Sequence, residues 1–427
     1  MQTDIKNPWV AVISYPPGTR NPAEERKYHG DGRDILLQGF HWKSHAGSFD
    51  AAARAQKSWY RIMRDNAEAI KSAGFTWVWF PPPSDSLAPQ GYIPRRWHVL
   101  DSAFGSTSEL RAAISALGPV RALADVVLNH RVGVHTSGAD FADPAFPDNR
   151  AAIARDDESG MGTGNPDTGE RHPAGRDLDH TNPDVRAAIK IYLNGLKEFG
   201  FQGWRYDLAK GFHGSFIGEY NDATAPGFSV GEFFDGDRQK VTKWLDATGG
   251  KSTAFDFPTR YLLYDACATD DYSRLRSTIH GRVAPGGLIG YWPSRSVTFL
   301  DNHDLEYCRE ESYRHQNEPI RHFTGKMADL GYAYLLTHPG VPCVFWPHYF
   351  DWGEPARRRI DRLIRVRQHA GVHASSHVDI KEAANGLYAA IIDGRVALKL
   401  GSRSWHPGGG WQVALDGEKF SVWTRPG

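Results

Sequence analysis

The strongest constraint on the fold of this chain is an alternation. Eight short apolar runs read as strands, at residues 35–40, 75–80, 120–128, 201–207, 228–233, 253–257, 297–300 and 343–346. Between them lie stretches with helical spacing, clearest at 56–72, 107–117, 183–199, 325–337 and 356–368. Local punctuation agrees. Pro81-Pro82-Pro83 stops the second run, and Asn182 followed by Pro183 marks a helix start. A parallel sheet must cover both faces with helices, so this alternation predicts an α/β fold, a closed (β/α)8 barrel of the TIM type.

Such a barrel takes about 250 residues, and the chain has 427. The surplus falls in three places. Residues 131–176 are rich in Gly, Asp, Pro and Asn and lack periodicity. A stretch this long predicts an irregular insertion domain after strand three, at the barrel face where active sites lie. From residue 371 the pattern becomes short alternating strands, as at 386–393 and 396–401, with turn signals at Asp393-Gly394 and Asp416-Gly417. That predicts a C-terminal antiparallel β-domain over 371–427. Residues 1–33 form an N-terminal extension, and the barrel is expected over 34–130 and 177–370.

Composition removes several function classes. Lys plus Arg is 50 and Asp plus Glu is 50, so no global field draws in nucleic acid or anionic membranes. No apolar run approaches the roughly 20 residues of a membrane span. Cys267, Cys308 and Cys343 show no paired spacing, so neither a disulfide framework nor a structural zinc is expected. The first 20 residues are polar and Pro-rich, without the apolar core of a signal peptide. Cytoplasmic residence and secretion after removal of a signal both stay open. Nothing in the chain requires an oligomer, and a monomer is expected. Aromatics make up 12% of residues, which suits a large core or a sugar-binding cleft.

The chemistry gathers at predicted strand ends. Strand three runs through Asp125 to Asn129 and His130, and strand four through Arg205 to Asp207. Strand five ends at Glu232, and strand seven at Asp301-Asn302-His303-Asp304. One aspartate at a strand end is commonly a cap or a salt-bridge partner. Four strand ends converging on one barrel mouth are not explained that way. Paired carboxylates in such a cleft suit glycosidic bond cleavage, with one ionised and one protonated. Arg205 lies two residues before Asp207, so on a strand both point to one side and the guanidinium holds Asp207 ionised. The apolar neighbours of Glu232 desolvate it and suit it to acid/base work.

These residues also carry a resemblance. Asp125-Val126-Val127-Leu128-Asn129-His130, Gly203-Trp204-Arg205-Tyr206-Asp207-Leu208-Ala209-Lys210, Gly231-Glu232 and Phe299-Leu300-Asp301-Asn302-His303-Asp304 resemble, in order, the four motif regions of the α-amylase family, glycoside hydrolase family 13. The resemblance covers roughly residues 34–427. It is closest to plant-type members, through Leu37-Gln38-Gly39-Phe40-His41-Trp42, Phe80-Pro81-Pro82-Pro83-Ser84, Gln90-Gly91-Tyr92 and Leu336-Thr337-His338-Pro339-Gly340. It implies Asp207 as nucleophile, Glu232 as acid/base and Asp304 as transition-state stabiliser. His130, Arg205, Lys210 and His303 would hold the sugar, with Tyr92 stacked beneath it. Cleavage would proceed with retention through a covalent glycosyl-enzyme intermediate. The expected substrates and partners are α-1,4-glucans, cleaved internally.

The resemblance further implies structural Ca2+ between barrel and insertion. Asn129, Asp167 and Asp177 match the side-chain ligand positions, and Glu170 and Gly211 the carbonyl ones, all hard oxygen donors. Asp157 is a further candidate, whereas Arg171 stands where another carboxylate is expected. Tyr291-Trp292 is similar to a paired-tryptophan glucan site on the barrel surface. Leu305-Glu306 replaces the family's usual continuation after Asp304. Two other functions share the motif set. An exo-acting maltooligosaccharide-forming amylase or transglycosylase would differ in its loops. A non-catalytic glucan-binding protein would have lost one of the three carboxylates, and all three are present.

Overall fold

The computed structural model describes residues 28–45, 57–279, 281–305 and 321–425. The expectations for residues 1–27, Glu306 and Cys308 lie outside these described residues. Eight parallel strands are β1 Leu36–Gln38, β2 Trp77–Phe80, β3 Arg121–Val126, β4 Gly203–Tyr206, β5 Phe228–Gly231, β6 Thr253–Phe255, β7 Ser296–Phe299 and β8 Val341–Phe345. Each pairs with its sequence neighbours, and β1 pairs with β8 to close the barrel.

The strands read as continuous apolar runs because both faces are buried. In β2, Trp77 and Trp79 fill the interior at two heights. Trp77 donates to Asp34 Oδ1 at 2.9 Å, under the Arg121 guanidinium at 4.2 Å from its ring. Trp79, higher up, donates to Asp125 Oδ2 at 3.1 Å and so floors the barrel mouth. Full burial of side chains this large stabilises by roughly 1.5–3 kcal/mol each.

The helix Pro183–Phe199 starts where its cap signals place it. The Asn182 side chain accepts from Asp184 N, and Pro183 occupies the first turn. Val185, Ile189, Tyr192, Leu193 and Leu196 form its buried stripe. The helix expected over 56–72 is instead two, Trp59–Asp65 and Ala67–Ala73. Asn66 separates them, because its side-chain amide bonds Ile62 O at 2.9 Å and draws the turn closed. Further helices over Gly214–Thr224, Arg238–Ala247 and Phe257–Thr269 complete the outer ring.

The insertion after β3 is irregular, as its composition suggests. One short antiparallel pair, His130–Arg131 with Arg176–Asp177, closes its neck. Arg131 is buried there over the Trp97 and Phe141 rings and donates to the carbonyls of Arg95, Asp143 and Pro144.

The C-terminal sheet is antiparallel, with β9 Val378–Ala384, β10 Leu387–Ile392, β11 Val396–Leu400, β12 Gln412–Gly417 and β13 Phe420–Thr424, in the order β9-β10-β11-β13-β12. Asp393 and Gly394 turn with φ of 50° and 69°, as their sequence signals. Asp416-Gly417 instead stays within β12, and Lys419 at φ 62° makes the turn. The segment before β1 is fastened to the rest of the molecule. Ser229 N donates to Tyr28 O at 2.8 Å, and Ala374 N to Gly32 O at 2.7 Å.

Candidate active site

The parallel ladder sets the site's spacing. Asp125 and Arg205 are register partners on β3 and β4. Beyond the strands, Asp207 N bonds Val126 O at 3.0 Å and Glu232 N bonds Tyr206 O at 2.9 Å. Backbone pairing therefore carries the carboxylates to adjacent positions at the mouth. Leu208 follows with φ 43°, a conformation disfavoured for a branched residue. It aims its N–H at Glu232 Oε2, 3.3 Å away.

Arg205 is the hub. Its fully buried guanidinium sits 4.8 Å over the Trp79 ring. Nη1 donates to Asp125 Oδ1 at 2.8 Å and to Asp207 Oδ1 at 2.6 Å. Nη2 lies 2.8 Å from Glu232 Oε1, close enough for an ion pair but off the hydrogen-bond direction. Asp125 also accepts hydrogen bonds from Tyr92 OH at 2.9 Å and from the Trp79 indole at 3.1 Å.

One cation among four carboxylates leaves excess negative charge, and protons are retained. Burial first, opposed by Arg205 and reinforced by the Asp207 charge, pushes Glu232 above the usual carboxylate range. Asp304 lies well above it, through burial and then the Glu232 charge. Since 41% of the Asp304 side chain still meets solvent, repulsion by Glu232 is the firmer cause. The hydrogen bond between the two raises Asp304 and lowers Glu232. Burial pushes Asp125 up to about 7.

The histidines are neutral donors. His303 Nδ1 is held by Gln38 Nε2 at 2.9 Å, and burial lowers its pKa well below the usual value. His130 Nε2 donates to Tyr92 O at 2.8 Å, and burial takes its pKa to about 4. Tyr92 lies parallel to His303, with centroids 5.1 Å apart, and to Trp42 at 6.3 Å. Lys210 sits between Asp235 at 3.4 Å and Glu170 at 3.5 Å, over the Phe233 ring.

The expected metal ligands also lie together. Asn129 Nδ2 donates to Asp177 Oδ1 at 2.9 Å, which turns Asn129 Oδ1 toward Gly211. A Cβ at Gly211 would come within 1.8 Å of that oxygen, so a larger residue there would displace the Asn129 amide. Glu170 N pairs with Lys210 O at 2.9 Å, joining the insertion to the segment after β4. Asp167 Oδ2 is buried without a hydrogen-bond partner. Burial, with neighbouring carboxylates, pushes Asp167 up to about 6 and Asp177 up to about 7. Asp157, Glu158 and Asp177 form an acidic group whose oxygens lie within 4.8 Å of one another. Oxygen donors crowded around an orphaned carboxylate fit a hard divalent cation. Arg171 instead reaches Asp156 at 3.4 Å.

The surface pair Tyr291-Trp292 is corrected by the structure. Trp292 is 6% exposed, and the Arg238 guanidinium covers the Tyr291 ring at 4.7 Å. The two rings do not make an exposed platform.

Several contributors have no sequence signal of their own. Trp79 and Glu158 meet the site only through packing, and Gln38, though inside a quoted motif, meets His303 only in the folded chain. His172, from the insertion, packs against His130 with tilted rings, centroids 4.7 Å apart. Asp125 and Trp42 lie inside recognisable motifs, but their partners are set by register.

A family model described as the alpha-amylase C-terminal beta-sheet domain matches residues 369–424. The chain is 37% identical to probable alpha-amylase 2 of Arabidopsis thaliana, over 92% of this chain and 95% of that one. It is 29% identical to a glucan 1,4-alpha-maltotetraohydrolase of Stutzerimonas stutzeri, covering 87% of this chain and 68% of the other. Among solved structures, an alpha-amylase from Malbranchea cinnamomea matches with a TM-score of 0.62 at 20% identity, over 90% and 86% of the two chains. That likeness bears on fold alone.

Proposed function

The chain belongs to the α-amylase family, as a plant-type glycoside hydrolase that acts on starch, and from that premise we propose how its residues cleave the glucan. Asp207 attacks the anomeric carbon, and Glu232 gives its proton to the departing glycosidic oxygen. The glucan bond breaks and a glycosyl ester to Asp207 forms. Glu232, now ionised, takes a proton from water, which attacks the ester and returns Asp207 as carboxylate. Asp304 steadies the positive charge that develops on the sugar ring.

One observation carries this assignment. Asp207 and Glu232 bind neighbouring nitrogens of one guanidinium. That gathers both carboxyl groups around one side chain at the cleft, and the retaining route needs such a pair about 5–5.5 Å apart. The raised pKa of Glu232 keeps a proton available for the leaving group. Tyr92, His130 and His303 line the sugar position, and Lys210 stands at its edge.

Calcium fits the neck of the insertion. Asn129, Asp167 and Asp177 would hold it by side chains, with Glu170 and Gly211 by carbonyls. When bound it supplies positive charge that relieves the crowded carboxylates and ties insertion to barrel. We assign residues 34–130 and 177–370 to the catalytic barrel, 131–176 to the insertion and 371–427 to the C-terminal domain.

Cleavage is proposed to be internal. The test plots loss of iodine colour against new reducing ends on soluble starch. Colour should fall steeply while few ends appear; persistent colour with accumulating short products would mean exo action. Asp207→Asn should abolish turnover in a folded protein, and near-normal activity there would overturn the assignment.

A further inference from the structure

Arg260 lies on the helix Phe257–Thr269, behind β7, and its side chain is fully buried. Nε donates to Leu300 O at 2.5 Å. Nη2 donates to Asp301 Oδ1 at 2.8 Å and also to Arg321 O. One planar fork therefore grips the chain just beyond β7 and again at residue 321. Asp301 answers from its other oxygen, which accepts Phe323 N at 3.0 Å. His348 Nε2 stands 3.6 Å from Asp301 Oδ2, and His322 Nδ1 stands 3.8 Å from Oδ1. Tyr332 OH holds His348 Nδ1 at 2.8 Å. A cavity of about 30 Å³, enough for a water, opens between Asp301, His322 and His348. Burial alone would raise the pKa of Asp301, but the His322 bond and the Arg260 charge hold it below the usual range.

The grip lies directly before a catalytic position. The β7 ladder ends at Phe299, and the next residues take their anchors from side chains. Leu300 and Asp301 are held by Arg260. Asn302 Oδ1 accepts Leu305 N at 3.1 Å and closes the following turn. His303 is held by Gln38. Asp304 is the first residue in this run whose carboxylate faces the open cleft. Its direction is inherited from the anchors behind it.

We infer that Arg260, through its pair with Asp301, is a positioning residue that sets the aim of Asp304 without touching the sugar. The inference rests on the proposed role of Asp304 in stabilising the transition state. A lysine cannot reproduce the three-way fork, because it presents one point charge. A misplacement of about 1 Å in a catalytic group costs on the order of 100-fold in rate.

The test compares Arg260→Met, Arg260→Lys, Asp301→Asn and Asp304→Asn on a maltooligosaccharide, with melting curves to score folding. Folded Arg260→Met should lose about 10–100-fold in kcat and keep KM within about twofold. Arg260→Lys should recover part of that loss. Asp301→Asn, which preserves volume, should move kcat in the same direction and decides the matter if Arg260→Met does not fold. A lowered melting temperature with kcat unchanged in Asp301→Asn and in any folded Arg260 variant would overturn the inference, and so would a change confined to KM. Asp304→Asn separates the two claims. If it is inactive while folded Arg260→Met is normal, the positioning role alone fails; if it is fully active, the role of Asp304 fails with it.

Discussion

At the scale of single residues, the site is a problem in charge bookkeeping around Arg205. Its guanidinium is fully buried and bonds or pairs with three carboxylates at once. Removing one member of a buried ion cluster leaves the others uncompensated. Arg205→Met should therefore lower kcat by about 10²–10³-fold. The sign of its pH effect follows from the causes acting on Glu232. Arg205 lowers that pKa, so its loss raises it further. Catalysis needs Glu232 protonated, so activity is lost as pH rises through this pKa, and the alkaline limb of residual activity should move to higher pH. A profile that stays in place would show that Glu232 is not the proton donor. The motif residues were legible because catalysis restricts residue type at each strand end. Trp79 was not, since a tryptophan inside a strand has no partner that sequence can name, and Gln38 lay in a legible motif whose bond to His303 only the fold makes.

At the scale of elements, termini were read well where side chains close on their own backbone. Asn182 with Pro183 is such a case, and Asn182→Ala should cost about 1 kcal/mol. A urea midpoint shift with unchanged kcat would check it. Asn66 is the opposite case, because a helical pattern ran across a residue whose amide turned back and split the helix. The insertion had no period to read, and its order comes from contacts. Arg131 ties it to the barrel segment through Arg95 O, and the proposed calcium would add a second tie by relieving the repulsion around Asp167 and Asp177. Chelation should lower the melting temperature by several degrees, and added calcium should restore it. Asp167→Asn should blunt that response, and an unchanged curve on chelation would argue against a bound ion.

For the whole molecule, burial of neutral histidines ties stability to pH. Burial takes His180 and His338 to about 3, and His130 and His348 to about 4. The unfolded value is about 6.5. Each depressed pKa adds stability that is full above 6.5 and is lost as pH falls toward the folded value. At pH 5 each loses on the order of 2 kcal/mol. His338 also joins the C-terminal sheet to the barrel. Its Nε2 bonds Tyr388 OH at 2.8 Å, and its carbonyl accepts Arg367 at 2.6 Å. His338→Gln should reduce the slope of unfolding free energy against pH by about one proton between pH 6.5 and 5. An unchanged slope would mean that His338 is charged in the native state.

What the sequence determined by itself was whatever local chemistry restricts. Apolar runs bounded by turn residues made the barrel strands, capping residues set helix ends, and residue type at four strand ends marked the carboxylates. What only the tertiary structure decided was pairing and exposure. The buried face of Trp292, the split at Asn66, the grip of Arg260 on residues 301 and 321, and the sharing of Arg205 by three acids all depend on which elements close on one another. Packing free energy over long sequence separation chooses those contacts, and no local pattern encodes it.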